Sequence, residues 1–296
     1  MGAVSPRRQD IELLRVLSAF GIVWFHSRAF GGAVAYSGLI AFLILSITLG
    51  GKSGRPDVET FTRRVERLLV PWAFWFAIYG AWNVWQGQAI VPLEHGVAAG
   101  IMAGPSIHLW YLPFVFLVLI ALDFIKAHIP ARALALAAGA LALVNLATAP
   151  WWRPITLTWH YPLLQWADAA GPVLVGVFLL CAGTMPAWQR NAISALLVMS
   201  AIVVAGFNSI GVSDAIGIAA CLLISWRVLD GRIPVRVEAL SEATFGIYLC
   251  HILVHRMLLM YGNVPGEWLP PAIFLVSAAF VMTLRKLFPR FARVWS

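Results

Sequence analysis

The chain has 296 residues, 61% of them hydrophobic and only 11% charged, against about 25% charged in an ordinary soluble domain. With a mean hydropathy of +0.83, it lacks the polar surface to cover a water-exposed fold. The excess of 21 Lys and Arg over 13 Asp and Glu, net +8, falls between apolar runs and forms no basic stripe with interleaved aromatics, which argues against a nucleic-acid partner.

In chain order, Arg7 and Arg8 precede an apolar run from Ile11 to Phe30. That run is long for a signal-peptide core, contains Arg15 and has no small-residue cleavage site, so it reads as a retained first span. Apolar runs of about 20 residues then recur, each long enough to cross a bilayer. The spacing predicts an all-α polytopic bundle of ten spans, at 11–30, 33–51, 68–87, 108–127, 132–150, 169–187, 191–210, 213–229, 240–260 and 269–287. Gly31-Gly32 predicts a tight hairpin between the first two. Segments 88–107 and 151–168 carry Pro, Trp and His and read as extracytoplasmic loops or re-entrant pieces. Residues 1–296 form a single membrane domain on this reading.

Charge orients it. With both termini in the cytoplasm, all of the 21 Lys and Arg except Arg15, Arg28, Arg153 and Arg256 fall on the cytoplasmic side, as the positive-inside rule requires. Cys181, Cys221 and Cys250 lie inside apolar runs with no metal-ligand spacing and read as small buried hydrophobes. No His pair has the spacing and carboxylate support of a metal site, and no metal is expected.

Ionisable residues inside a span are costly and mark function or packing. The first span carries Glu12, Arg15 and His26. Eleven residues at 100° each are three turns plus about 20°, with about 16 Å of rise, so Arg15 and His26 share a face. Glu12 is placed to pair with Arg15 at i,i+3. The stripe suits either a packing device or a site, and Arg15-x10-His26 is the feature that points to chemistry.

Arg15 to His26, opened by Glu12-Leu13-Leu14-Arg15, resembles the first-span hallmark of the acyltransferase 3 family, integral-membrane enzymes that transfer acyl groups, commonly acetyl, to carbohydrates. Three further stretches resemble the family in the expected order. They are Arg63-Arg64-Val65-Glu66-Arg67 leading to Pro71, His108-Leu109-Trp110-Tyr111-Leu112-Pro113, and Phe245-Gly246-Ile247-Tyr248-Leu249-Cys250-His251. One element departs: Ala41 to Thr48 keeps Ser46 but lacks the Gly-Phe that usually follows it.

The resemblance implies His26 as the catalytic group, either a general base on a hydroxyl or a covalent acyl acceptor. Arg15 then contacts the donor or, with Glu12, holds the span in register. Arg63, Arg64 and Arg67 contact the phosphates of coenzyme A, or simply report topology. His108, Trp110, Tyr248 and His251 line the substrate cavity. His160 and Asp168 flank an outer loop within reach of an acceptor, while His95 and His128 are loop or interface residues. The implied reaction moves acetyl from acetyl-coenzyme A, a substrate and not a bound cofactor, to a hydroxyl of a cell-surface or exported glycan or glycolipid. The setting is the inner cell membrane, near glycan-synthesis machinery. Two other readings stay open. One is a transporter or flippase of a polysaccharide or its lipid-linked precursor. The other is a non-catalytic subunit, which fits the missing Gly-Phe.

Overall fold

A computed structural model describes residues 7–52, 56–207, 209–262 and 264–295. Among them there are helices and no strands. The helices are α1 (Gln9–His26), α2 (Gly32–Gly50), α3 (Val58–Arg64), α4 (Val70–Trp85), α5 (Val97–Ala103), α6 (Tyr111–His128), α7 (Ala131–Ala147), α8 (Ala149–Thr156), α9 (Leu163–Cys181), α10 (Ala187–Ala205), α11 (Ser209–Ser225), α12 (Glu238–Tyr261), α13 (Leu269–Leu287) and the short α14 (Ala292–Trp295). Six of them, α2, α9, α10, α12, α13 and α6 with its leading 3-10 turn, are long and apolar enough to cross a membrane. The pair α7–α8, bent by 73°, makes a seventh if it counts as one span.

A helix occupies each of the ten predicted spans, but four, α1, α4, α7 and α11, do not meet that measure alone. Helix α1 carries Asp10, Glu12 and Arg15, α4 has 16 residues, and α7 and α11 have 17 each. Helix α9 begins six residues before the predicted 169, directly after Pro162. The polar look of Gln165 and Asp168 hid its first turns. Arg55, counted on the cytoplasmic side, lies outside the described residues, and so does the side chain of Arg293.

Helix α2 is the hub. It packs against α1, α9 and α11, and small residues let those backbones approach. A Cβ on Gly38 would lie 2.5 Å from the Ser18 carbonyl oxygen, and one on Gly21 2.7 Å from that of Ala35. This is small-residue packing, the main route to close helix contact where lipid removes the hydrophobic drive. The α1–α2 connection is as tight as Gly31-Gly32 predicts. Gly31 takes φ 82° at the start of α2, a conformation glycine adopts without Cβ strain.

Helices α3 and α4 form one run through a π turn, Val65–Leu69, in which the Val70 N–H bonds to the Val65 carbonyl. Pro71 has no N–H to return to the Arg67 carbonyl, and the wider turn accommodates that gap. Asp57 caps α3 by accepting from the Thr60 N–H at 2.7 Å. That bond holds its carboxyl below the ordinary range.

At the end where α1 and α12 begin, Gln9 donates to Glu238 (2.7 Å), and Glu242 pairs with Arg7 (2.5 Å) and Arg285 (3.4 Å). Helices α1 and α12 therefore start level. His26 lies 17 residues into α1 and His251 13 residues into α12, about 26 Å and 20 Å up. The two meet near the far side of the bundle.

Candidate active site

Three histidines from distant parts of the chain meet there. His26 ends α1, His108 sits in the 3-10 turn Ile107–Trp110 ahead of α6, and His251 lies mid-way along α12. The ring of His251 is 5.2 Å from that of His26 and 5.1 Å from that of His108, and His26 and His108 are 6.4 Å apart. His108 and His251 are each 1% exposed, so their protonation is governed by protein groups rather than by water.

Hydrogen bonds fix two of the three tautomers. The Nε2 of His108 faces the Leu249 carbonyl at 3.2 Å, so it must be the donor, and Nδ1 then accepts from the Ser106 hydroxyl at 3.0 Å. The Nδ1 of His251 donates to the Tyr248 carbonyl at 2.6 Å. That leaves the lone pair of His251 Nε2 buried and without a partner. Such a group costs about 1–3 kcal/mol unless something fills it. His26 also makes no hydrogen bond among the described residues, although its ring is packed edge-on against Phe25 (5.4 Å). Two imidazoles with nitrogens outside any hydrogen bond thus lie with ring centres 5.2 Å apart.

The walls are aromatic. Tyr79 of α4 meets His108 edge-on at 5.2 Å, Tyr248 meets it at 5.5 Å, and Tyr111 packs on Tyr248 at 5.4 Å. The Tyr248 hydroxyl donates to the His108 carbonyl. The Tyr79 hydroxyl donates to the Leu249 carbonyl at 2.8 Å and accepts from the Leu253 N–H at 3.1 Å. It thus sits between the two groups that pair along an α-helix, one turn astride His251. Ser46 receives the Tyr111 hydroxyl at 2.8 Å, which connects the second span to this wall without the Gly-Phe element.

Of the four cavity residues expected, His108, Tyr248 and His251 come together with His26. Trp110 is buried and packs on Phe114 at 5.5 Å and Tyr111 at 5.9 Å, with no ring contact to the three histidines among the described residues. Arg15 pairs with Glu12 at 3.4 Å, as the i,i+3 spacing predicts, about 16 Å below His26. The basic cluster divides. Arg63 and Arg67 are exposed, with Arg63 near Glu59 at 4.0 Å. Arg64 is buried, bonded to Asp123 at 2.5 Å and to the Leu119 carbonyl at 2.6 Å, so its guanidinium serves the α3–α6 contact and faces no open surface. His128 Nδ1 donates to the Phe124 carbonyl at 2.8 Å, at the exposed end of α6. His95 and His160 stack on one another at 3.9 Å in the loops.

Several residues escape sequence reasoning. Asn83, Arg256 and Ser106 anchor the neighbourhood of His108. Asp214 is buried with an unpartnered oxygen. Asp168, expected beside an outer loop, lies buried inside α9 and pairs with Arg153 at 3.4 Å. Arg153 and Arg256 do have a signal, since both break the positive-inside pattern. Among the described residues, no group of three or more His, Cys, Asp or Glu is placed to hold a metal ion.

The fold and site define a helical membrane protein with a buried histidine centre. A family profile described as an acyltransferase domain matches residues 8–284, and the chain belongs to the acyltransferase 3 family. It is an acyltransferase of the membrane type. No curated protein and no solved structure gives a significant match.

Proposed function

We propose that the protein transfers an acyl group, acetyl first among them, from acyl-coenzyme A to a hydroxyl of a cell-surface or exported glycan or glycolipid. The observation that carries the reading is the meeting of His26 with His251 and its unfilled Nε2, at the far end of the helix that holds the Arg15–His26 pair. The neutral imidazole of His26 takes the acceptor's hydroxyl proton as the oxygen attacks the thioester carbonyl. The C–S bond breaks, and the thiolate leaves with the proton returned from His26. His251 Nε2, held as an acceptor by the bond at its Nδ1, stabilises the imidazolium that forms on His26 when it takes that proton. An acyl-imidazole on His26 divides the transfer into two steps with the same overall balance.

Ten spans with both termini in the cytoplasm fit this chemistry. The donor approaches from the basic side along Arg63 and Arg67, and its pantetheine arm passes Arg15 to cover the roughly 16 Å to His26. The acceptor reaches His26 from the opposite side, in the inner cell membrane and beside the machinery that builds the glycan. General-base removal reduces rate by about 10²–10⁴-fold. His26→Ala protein that keeps its wild-type melting temperature should therefore lose acetyl transfer, followed as an acetyl-sized mass shift on surface glycans. Full transfer by that variant sinks the mechanism. Movement of acceptor across the membrane without consumption of acetyl-coenzyme A would support a transporter instead.

A further inference from the structure

Four arginines lie outside the cytoplasmic basic set. Two are neutralised: Arg15 by Glu12 and Arg153 by Asp168. The other two, Arg28 and Arg256, have no carboxylate within ion-pair distance among the described residues, and both flank the histidine centre.

Arg28 follows His26 by two residues, exposed, with φ 57°. A left-handed non-glycine backbone is uncommon and is maintained by its surroundings. Here the Ser27 hydroxyl donates to the Trp24 carbonyl at 2.6 Å and the Trp24 indole donates to the Phe30 carbonyl at 2.8 Å, holding the turn on both sides. Arg256 is fixed as well. It donates to Asn83 Oδ1 at 3.1 Å and lies 5.8 Å over the Tyr79 ring. Asn83 is itself tied to the Pro105 carbonyl at 2.9 Å. His255 lies one turn beyond His251 on α12 and next to Arg256, and His26, two residues before Arg28, meets His251 at 5.2 Å, so the three groups lie at the same end of α1 and α12.

Two guanidiniums near an imidazole at one end of the bundle, without an acid in ion-pair distance among the described residues, form an uncompensated positive field. Guanidinium is the side chain best matched to phosphate and carboxylate oxygens, often through two parallel bonds. A neutral sugar would leave that field unanswered.

We propose that Arg28, His255 and Arg256 form an anion-binding rim above His26, and that the acceptor carries a phosphate or carboxylate close to the hydroxyl that is acylated. This rests on the acyl-transfer reading for the identity of the acceptor but not for the existence of the rim. The same anion chemistry is also offered by a lipid headgroup, and the test separates the two.

Purified protein in phosphatidylcholine nanodiscs is titrated with glucose 1-phosphate, glucuronate and glucose, and binding is read by ligand-observed NMR. The anionic sugars should bind at least about tenfold more tightly than glucose, and Arg28→Gln and Arg256→Gln should each weaken them about tenfold or more. Arg28 lies in the turn after α1, outside every helix, so its variant keeps the test sound if Arg256→Gln misfolds. Equal affinity for glucose and glucose 1-phosphate, or anion binding untouched by both substitutions, overturns the proposal. In phosphatidylglycerol nanodiscs the preference should persist. Its abolition there assigns the rim to lipid headgroups and overturns the acceptor claim. His26→Ala protein should keep anion binding while losing acetyl transfer, so a failure of the catalytic reading would show separately.

Discussion

Replacing Asp123 by Asn decides what Arg64 does. Arg64 and Asp123 are 7% and 3% exposed at their side chains and 2.5 Å apart, with the Leu119 carbonyl at 2.6 Å completing the site. The substitution keeps the volume and removes the negative charge, so a buried guanidinium is left facing an amide. Breaking a buried pair from one side costs about 3–5 kcal/mol, because the remaining charge stays desolvated. At roughly 2–4 °C per kcal/mol for a chain of this order, the melting temperature should fall by about 6 °C or more. Thermal unfolding in detergent, followed by intrinsic tryptophan fluorescence, reads the shift directly. In protein still folded below the transition, the KM for acetyl-coenzyme A should not change, since this guanidinium has no open surface to offer a phosphate. An unchanged melting temperature with a raised donor KM would refute the reasoning and return Arg64 to the donor site.

Three other outcomes follow from the same geometry. Arg63→Ala with Arg67→Ala should raise the donor KM by about tenfold while leaving thermal stability nearly unchanged, because exposed ion pairs contribute about 0–1 kcal/mol; steady-state kinetics against acetyl-coenzyme A checks this. Tyr79→Phe removes the hydroxyl between Leu249 and Leu253 and should lower stability by about 1–3 kcal/mol. It should also lower kcat more than it raises KM, as His251 loses its support; an unaltered kcat would count against that support. Gly38→Val drives a side chain into the Ser18 carbonyl and should destabilise the α1–α2 contact by about 1–3 kcal/mol or more, visible as reduced yield and earlier unfolding.

Much of this was legible in the sequence because a bilayer makes polarity conspicuous. His26, Arg15 and Glu12 stood out against an apolar run, and their spacing alone put them on one stripe. His108 and His251 were reachable only through motif resemblance: 143 residues separate them, and no period connects a 3-10 turn to the middle of another helix. The fate of Arg64 was hidden by its neighbours. Positive-inside residues look alike in sequence, and only the packing of α3 on α6 separates a buried Arg64 from an exposed Arg63 and Arg67. Trp110 shows the converse limit. Its place beside His108 in sequence suggested a shared cavity, but the 3-10 turn rotates consecutive side chains by about 120° and sends it toward Phe114. The span count blurred where length and charge compete, at α1, α4, α7 and α11.

The Leu249 carbonyl accepts from Tyr79, 170 residues earlier, and from His108, 141 residues earlier. Everything that aligns His251 therefore waits for α12, which is synthesised late and must find partners laid down long before it. A chain made N-terminus first cannot form these contacts until α12 exists. A nascent chain holding only its first helices has His26 in place but no formed centre, so it would be inert toward acyl-coenzyme A. Activity in this protein is then a report of completed insertion: the chain becomes reactive only when its last fifth, from α12 onward, has docked.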